Sequence, residues 1–174
     1  MATDNSKPIE IDEIDREILD LLQNDGKITI NKISEMVSEK LGEKPKSATA
    51  IRARVQKLEE SLIKKYVALI DCRHLGYREM VMASLRINSQ QPIDEVKTEI
   101  ENIDKIKFGY VVTGEYPLFI MAKCLDHEDS MRLINQLRNL PGVEEVKTQI
   151  VLDRIKEDTT IIIPEPEKKQ KRKK

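Results

Sequence analysis

The residues with the most chemistry to offer lie between positions 46 and 57. Lys46, Ser47, Thr49, Ala50, Arg52, Ala53, Arg54, Gln56 and Lys57 follow one another at spacings that a helix sorts by face. With Ile51 as zero and about 100° per residue, Val55, Leu58 and Leu62 fall together. The opposite side gathers Thr49, Ala50, Ala53, Gln56 and Lys57, with Arg52 and Arg54 on its flanks. Gln and Arg carry paired polar groups that match adenine and guanine edges, and Lys and Arg neutralise phosphates. The small residues let the helix backbone approach another surface. Taken alone, the helix also fits a solvated charged face on an ordinary helical hairpin.

Other candidate chemistry is weaker. Gly109-x4-Gly114 has the glycine spacing of a phosphate loop, but Glu115 stands where a lysine is required. Cys72-x-His74 and Cys124-x-x-His127 would have to converge from distant segments to hold zinc, and a one-residue gap chelates poorly. The sequence contains neither Gly-x-Ser-x-Gly nor His-Glu-x-x-His. The expectation is therefore no catalytic residue, no metal and no cofactor.

The elements that must position the basic face are legible from apolar spacing. Ile11, Ile14, Ile18, Leu21 and Leu22 form one stripe of a helix over 11–23, ended by Asn24-Asp25-Gly26. A second helix is read over 30–41, capped by Thr29 or Asn31, with Ile33, Met36, Val37 and Leu41 inward. Gly42 to Pro45 breaks the chain, and Ser47 or Thr49 caps the third helix. Three short helices, the last amphipathic and basic, read as a helix-turn-helix.

Beyond position 62 the period changes. Residues 62–71 read as an extended segment and 78–88 as a strand, followed by a helix opened by Pro92. Strands at 106–113 and 118–124 flank a turn, 130–140 is a helix with Met131, Ile134 and Leu137 inward, and 143–155 is a last strand. The order β-α-β-β-α-β is the split ferredoxin-like arrangement. A weak repeat supports it: shifted by 37 residues, Ile100 to Ile103 overlays Leu137 to Leu140 and Ile106 overlays Val143. Residues 80–83 and 118–122 are apolar at consecutive positions, so both sheet faces require cover. Two helices cover one face, and a second copy of the chain is the economical cover for the other.

Composition bounds the reading. The 174 residues carry 30 Lys+Arg against 31 Asp+Glu, a net charge of −1, which excludes a uniformly basic packaging protein. Charge is nonetheless polarised: −6 over 1–26, +5 over 27–65, −4 over 78–164 and +4 over the last ten residues. A polyanion would be drawn to the internal basic stretch and the tail. No apolar run approaches the roughly 18 residues of a membrane helix, the polar start is no signal peptide, and two cysteines are no disulfide framework. A cytoplasmic protein is expected. The domain boundaries read are 1–77 for a winged helix-turn-helix with a hinge strand, 78–164 for the ferredoxin-like domain, and 165–174 for a basic tail.

In order and spacing, these words resemble the Lrp/AsnC (feast/famine) family of regulators, archaeal type. The resemblance rests on Ile11-Asp12-Glu13-Ile14-Asp15-Arg16-Glu17-Ile18-Leu19, on Leu22-Gln23-Asn24-Asp25-Gly26-Lys27-Ile28, and on Arg52-x-Arg54-Val55-x-Lys57-Leu58-Glu59-Glu60. It continues through Ile63-Lys64-Lys65-Tyr66, Val112-Thr113-Gly114-Glu115-Tyr116 and Leu140-Pro141-Gly142-Val143. It implies an α+β protein: a winged helix-turn-helix and a βαββαβ effector domain, dimers assembling to tetramers or octamers, and binding to double-stranded DNA. It also implies an amino-acid effector at the dimer interface near Thr113, Gly114, Glu115, Tyr116 and Pro117, faced by Thr148, Gln149 and Ile150. Three positions depart from the family pattern: 38–45 is an insertion, Ser61 replaces a glycine, and Pro117 replaces an Asp or Asn. Sirohaem decarboxylases share the two-domain architecture, and an enzyme of that kind would look to His74, His127 and Tyr116; the basic face argues against it. Two further functions fit the same words: a chromatin-like binder without sequence preference, and a sensor that joins mixed oligomers without touching DNA.

Overall fold

The computed structural model describes residues 9–42, 47–88, 90 and 92–165. They form two compact units: 9–69 together with 158–165, and 70–157.

The first unit is three helices, α1 (Glu13–Asn24), α2 (Ile30–Leu41) and α3 (Ala48–Ser61). Each start is fixed by a side chain that accepts from an otherwise unpaired amide. Asp12 and Asp15 form a reciprocal capping box on α1, with amide-to-carboxylate distances of 2.9 and 3.3 Å. Thr29 accepts from the Lys32 amide and Ser47 from the Ala50 amide. Gly42 ends α2 at φ +62°, a left-handed conformation suited to glycine. The expected stripes meet in one core of Ile18, Leu19, Ile33, Val37, Ile51, Val55 and Leu58.

Three residues differ from the expected stripes. Met36 is exposed because α2 turns Ser34 and Ser38 inward instead; the Ser38 hydroxyl donates to the Ser34 carbonyl at 2.6 Å, which satisfies it inside the helix. Leu62 lies just past the end of α3 and is exposed. Ile163, assigned from sequence to the other domain, is buried in this core. The first four residues of the 38–45 insertion form the end of α2; Glu43, Lys44 and Pro45 lie outside the described residues.

The second unit runs through a 3-10 turn (Cys72–Leu75), β1 (Glu79–Ile87), α4 (Ile93–Glu101), β2 (Ile106–Val111), β3 (Leu118–Cys124), α5 (His127–Arg138) and β4 (Val143–Ile150). The sheet order is β2-β3-β1-β4, antiparallel throughout, the ferredoxin-like order expected. Alternate residues of β1 and β3 (Val81, Ala83, Leu85; Leu118, Ile120, Ala122) are buried with Val96, Ile100, Leu133 and Leu137 of the two helices. Met131 is exposed; α5 presents Ser130, Leu133, Ile134 and Leu137 inward, and Met131 is one helical step off that stripe.

Two extended segments end sooner than their composition suggests. The segment 63–70 has no ladder partner among the described residues, so no wing or hinge strand forms there, and Tyr66, Val67, Leu69 and Ile70 are exposed. A single extended segment has nothing to bond with in one chain. β4 stops at Ile150, opposite Val81, and its last ladder contact is the Val151 amide on the Met80 carbonyl, while β1 continues to Glu79 against β3 on its other edge. The unit boundary accordingly falls at 69/70 instead of 77/78, and the chain returns to the first unit at 158 instead of staying in the second to 164.

An acid-stability prediction arises at the start of α5. Asp126 caps the helix, and the buried Asp129 accepts from Lys105, from the Leu125 amide at 3.1 Å and from Arg132 at 3.1 Å. The Lys105 ammonium, with that amide, holds the Asp129 carboxyl down at about 2. The folded value lies below the ordinary 3.8, so this contribution is complete above about pH 4 and is lost as pH falls towards 2. Acid unfolding followed by circular dichroism should show a flatter decline between those values for Asp129→Asn, from a lower starting stability; an unchanged slope would remove Asp129 from the account.

Candidate nucleic-acid interface and effector turn

The outward face of α3 carries Thr49, Ala50, Arg52, Ala53, Gln56 and Lys57, all exposed, while Ile51, Val55 and Leu58 on the other side are buried. Among the described residues, neither Arg52 nor Lys57 forms an ion pair. Gln56 donates to Glu60 at 3.0 Å one turn along, an exposed contact that opens easily. Ser47 uses its hydroxyl oxygen as the cap of the helix. Lys46 lies outside the described residues.

Arg54 departs from its expected place on this face. Its guanidinium turns back onto α1, 2.6 Å from Asp12 and 2.7 Å from Asp15. Burial opposes ionisation of Asp12, yet the Asp15 amide and Arg54 hold its carboxyl below the ordinary value. Arg54 is thus a tie between α3 and the capping box of α1, 42 residues away in sequence. Arg54→Ala leaves the buried Asp15 without its cation. About 2 kcal/mol of stability should be lost, less than for a fully buried pair because Arg54 is one-third exposed. Urea unfolding measures this, and a loss below about 0.5 kcal/mol, the range of surface substitutions, would refute the tie.

In the second unit, the turn 113–117 is closed by the Val112 amide on the Pro117 carbonyl at 2.8 Å, with Gly114 at φ +113°. Its side chains reach β1 and β4. Glu115 pairs with Arg86 at 3.3 Å, and the Tyr116 hydroxyl donates to Glu145 at 3.0 Å. The Lys147 ammonium sits 4.0 Å from the centroid of the Tyr116 ring. Arg86 also meets Glu145 at 3.0 Å and Glu144 at 3.4 Å. Thr148, Gln149 and Ile150 are in register with Ala83, Met82 and Val81, further along β4. Within one chain the turn therefore meets Glu145 and Lys147, and not 148–150. Arg86 and Glu145 do not stand out by residue type; the available signal is an arginine ending an apolar strand and two glutamates opening the last one.

No group of three or more His, Cys, Asp or Glu among the described residues is arranged to hold a metal ion. Cys72 lies 3.8 Å from the Arg154 guanidinium, while His74 and His127 approach Asp71 and Glu79 respectively. No described helix is long and apolar enough to cross a membrane.

Residues 11–59 match the AsnC-type helix-turn-helix domain and residues 80–161 match the Lrp/AsnC ligand binding domain. The HTH-type transcriptional regulator FL11 of Pyrococcus horikoshii is 32% identical over 156 residues, 89% of this chain and 98% of that protein. The chain belongs to the Lrp/AsnC family. As an Lrp/AsnC protein it is a transcriptional regulator with a helix-turn-helix DNA-binding domain; its relatives are regulators and not enzymes, which removes the decarboxylase reading. The leucine-responsive regulatory protein of Escherichia coli is 27% identical, covering 88% of this chain and 92% of that one. The fold matches a transcriptional regulator of Neisseria meningitidis, solved in complex with L-methionine, at a TM-score of 0.79 and 21% identity, covering 88% of this chain and 97% of that one. The Lrp/AsnC match to the ligand binding domain ends at 161, after the chain has re-entered the first unit.

Proposed function

We propose that this regulator reads duplex DNA by sequence through Thr49, Ala50, Arg52, Ala53, Gln56 and Lys57, with Lys46 and Ser47 at the entrance of the helix on the phosphates. The observation that carries this reading is the outward face of α3: small residues, an amide and two cations without ion-pair partners among the described residues, beside an arginine committed to holding the helix. It acts in the cytoplasm as a homodimer that assembles to tetramers or octamers. Support for the dimer comes from the sheet face opposite the helices, where Phe108 and Tyr110 are 46% and 52% exposed and stack at 6.4 Å beside Phe119, Met121 and Met82 in the register.

The test is titration of promoter fragments with the parent chain and with Arg52→Ala/Lys57→Ala. Affinity should fall by about 10- to 100-fold, and the salt dependence should shrink by about one to two contacts per reading helix. Full retained affinity would refute the assignment of α3. Equal binding to every fragment would favour a packaging role.

An amino acid is the proposed effector. Arg86 and Lys147 offer cations for its carboxylate, and Glu115 and Glu145 offer carboxylates for its ammonium. Thr148, Gln149 and Ile150 lie away from this turn, so they would be supplied by a second copy. In a thermal-shift screen of the twenty amino acids, an effector at about 100 times its dissociation constant should stabilise the chain by about 2.7 kcal/mol. A screen without any shift would refute an amino-acid effector.

A further inference from the structure

Two stretches of the helix-turn-helix unit contain no acid, residues 26–34 and residues 61–70. The fold brings them together at one contact. A Cβ on Gly26 would stand 3.3 Å from the Tyr66 ring, and the Tyr66 hydroxyl donates to Glu59 of α3 at 3.0 Å. Burial and that carboxylate push the Tyr66 phenol up to about 12, so it stays a neutral donor. Ile28 and Ile63, one on each stretch, pack on the core of the unit, and the lysines beside them, Lys27, Lys64 and Lys65, are all exposed. The turn that carries Lys27 is also held by the returning chain. Gln23, three residues before Gly26, holds the backbone of Ile161 at both ends: its amide donates to the carbonyl at 3.1 Å, and its oxygen accepts from the amide at 2.8 Å. Two residues on, Ile163 is 7% exposed in the same core. Residues 158–165 are therefore a docked strap; the basic tail that follows lies outside the described residues.

We propose that Lys27, Lys64 and Lys65 form a phosphate-binding cluster of the DNA-binding unit, assembled by Tyr66 lying on Gly26. The proposal rests on the reading of α3 as the DNA-contacting helix. Among the described residues, none of the three lysines forms an ion pair. Three acids on the elements that hold them are engaged elsewhere. Glu59 takes the Tyr66 hydroxyl, Asp25 takes the Lys27 amide at 2.9 Å, and Asp158 on the strap takes the Thr160 amide and hydroxyl at 2.9 and 2.7 Å. Continuity with α3 identifies the partner. Arg52 and Glu59 are seven residues apart, so at about 100° per residue they share one flank of the helix, about 10 Å apart along its axis. Tyr66 is fastened to that flank, away from the one that Arg54 ties to α1. The lysines therefore prolong the side on which Arg52 stands. Duplex DNA presents a charge about every 1.7 Å of its axis, a match for clustered cations without acids between them. Contacts of this kind fix where the reading helix lies and carry no sequence information.

The experiment compares the full chain with Lys27→Gln/Lys64→Gln/Lys65→Gln and with the charge-keeping Lys27→Arg/Lys64→Arg/Lys65→Arg. Each is titrated against a preferred and a scrambled duplex from about 50 to 300 mM salt. The Gln variant should lose about two to three units of slope in log K against log salt per protomer, at about 0.9 for each phosphate contact. At about 150 mM it should bind roughly 10-fold more weakly or worse, with the ratio between the two duplexes kept. The Arg variant should keep the parental slope. All three lysines are exposed, so the urea midpoint should not move, which separates lost contacts from lost folding. Tyr66→Ala should lower the slope by about one to two units with every lysine still in place. An unchanged slope in the Gln variant, while Arg52→Ala still weakens binding, would overturn the cluster and leave the α3 reading intact. Weakening confined to the preferred duplex would overturn phosphate binding in favour of base contacts. A parental slope in Tyr66→Ala would overturn assembly by Tyr66. Failure of the full chain to bind either duplex would overturn both readings.

Discussion

On the proposed homodimer, Met121→Glu should give a folded monomer and weaken binding to a duplex with two half-sites by about 100-fold or more. Met121 lies at the middle of the uncovered sheet face, in register with Met82 on one side and Phe108 on the other. Its neighbours in sequence, Ile120 and Ala122, point the other way into the helix-covered core at 1% exposure each. The substitution leaves that core untouched, so the melting temperature of the separated chain should change little. A carboxylate pressed into an apolar contact between two copies must be desolvated without a partner, which costs several kcal/mol. Losing the second reading head then removes the effective concentration, in the millimolar range, that links two half-site contacts. Light scattering with size-exclusion chromatography reads the mass, and a gel shift reads the affinity. A variant that keeps the parental oligomer would show that this face is not what joins the copies.

Ile163→Ala should cost the first unit about 2–4 kcal/mol, the usual range for truncating a buried isoleucine. The neighbouring Ile162→Ala should cost almost nothing, because Ile162 is 96% exposed. Gln23→Ala should cost about 1 kcal/mol by releasing two hydrogen bonds to an exposed strap. The contrast between adjacent isoleucines separates docking from a general preference for apolar residues near the terminus. Urea unfolding of the helical unit, followed by fluorescence of a probe attached there, provides the measurement. Equal small effects at 162 and 163 would mean that the strap does not belong to the core.

Much of this architecture can be read from residue spacing, because burial on one side of a helix or strand imposes a period. Ile18, Ile33, Val37, Ile51, Val55 and Leu58 are all buried where that period puts them, and the β-α-β-β-α-β order matches the sheet. The departures at Met36, Met131 and Leu62 occur at edges. Each residue lies about one helical step or one chain end from the true stripe, where apolarity alone cannot distinguish inside from rim. Segments 62–71 and 151–155 have strand-like composition, but a strand also needs a partner, and composition does not supply one. Arg54 shows a different limit. Its type and position suit a DNA contact, and only the fold shows that two aspartates beside the first helix already hold it. For the effector turn, residues 113–117 are identifiable from their words, whereas their neighbours on β4 depend on register. The family resemblance points to 148–150, while the fold brings Glu145 and Lys147 to the turn. The strap is invisible to periodicity because its docking depends on one isoleucine and on a glutamine 138 positions before the backbone it clamps.

The return of residues 158–165 to the unit in which the described chain begins also changes how the molecule is wired. Residues 70–157 are topologically an insertion, bounded by two covalent crossings in parallel instead of a single tether in series. A protease cut within 152–157 would leave the small carboxy-terminal piece attached through Ile163 and Gln23. A gene fragment stopping at 69 would yield helices with a hole in their packing. The self-sufficient reading module is one in which position 69 is spliced, through a short spacer, to position 158.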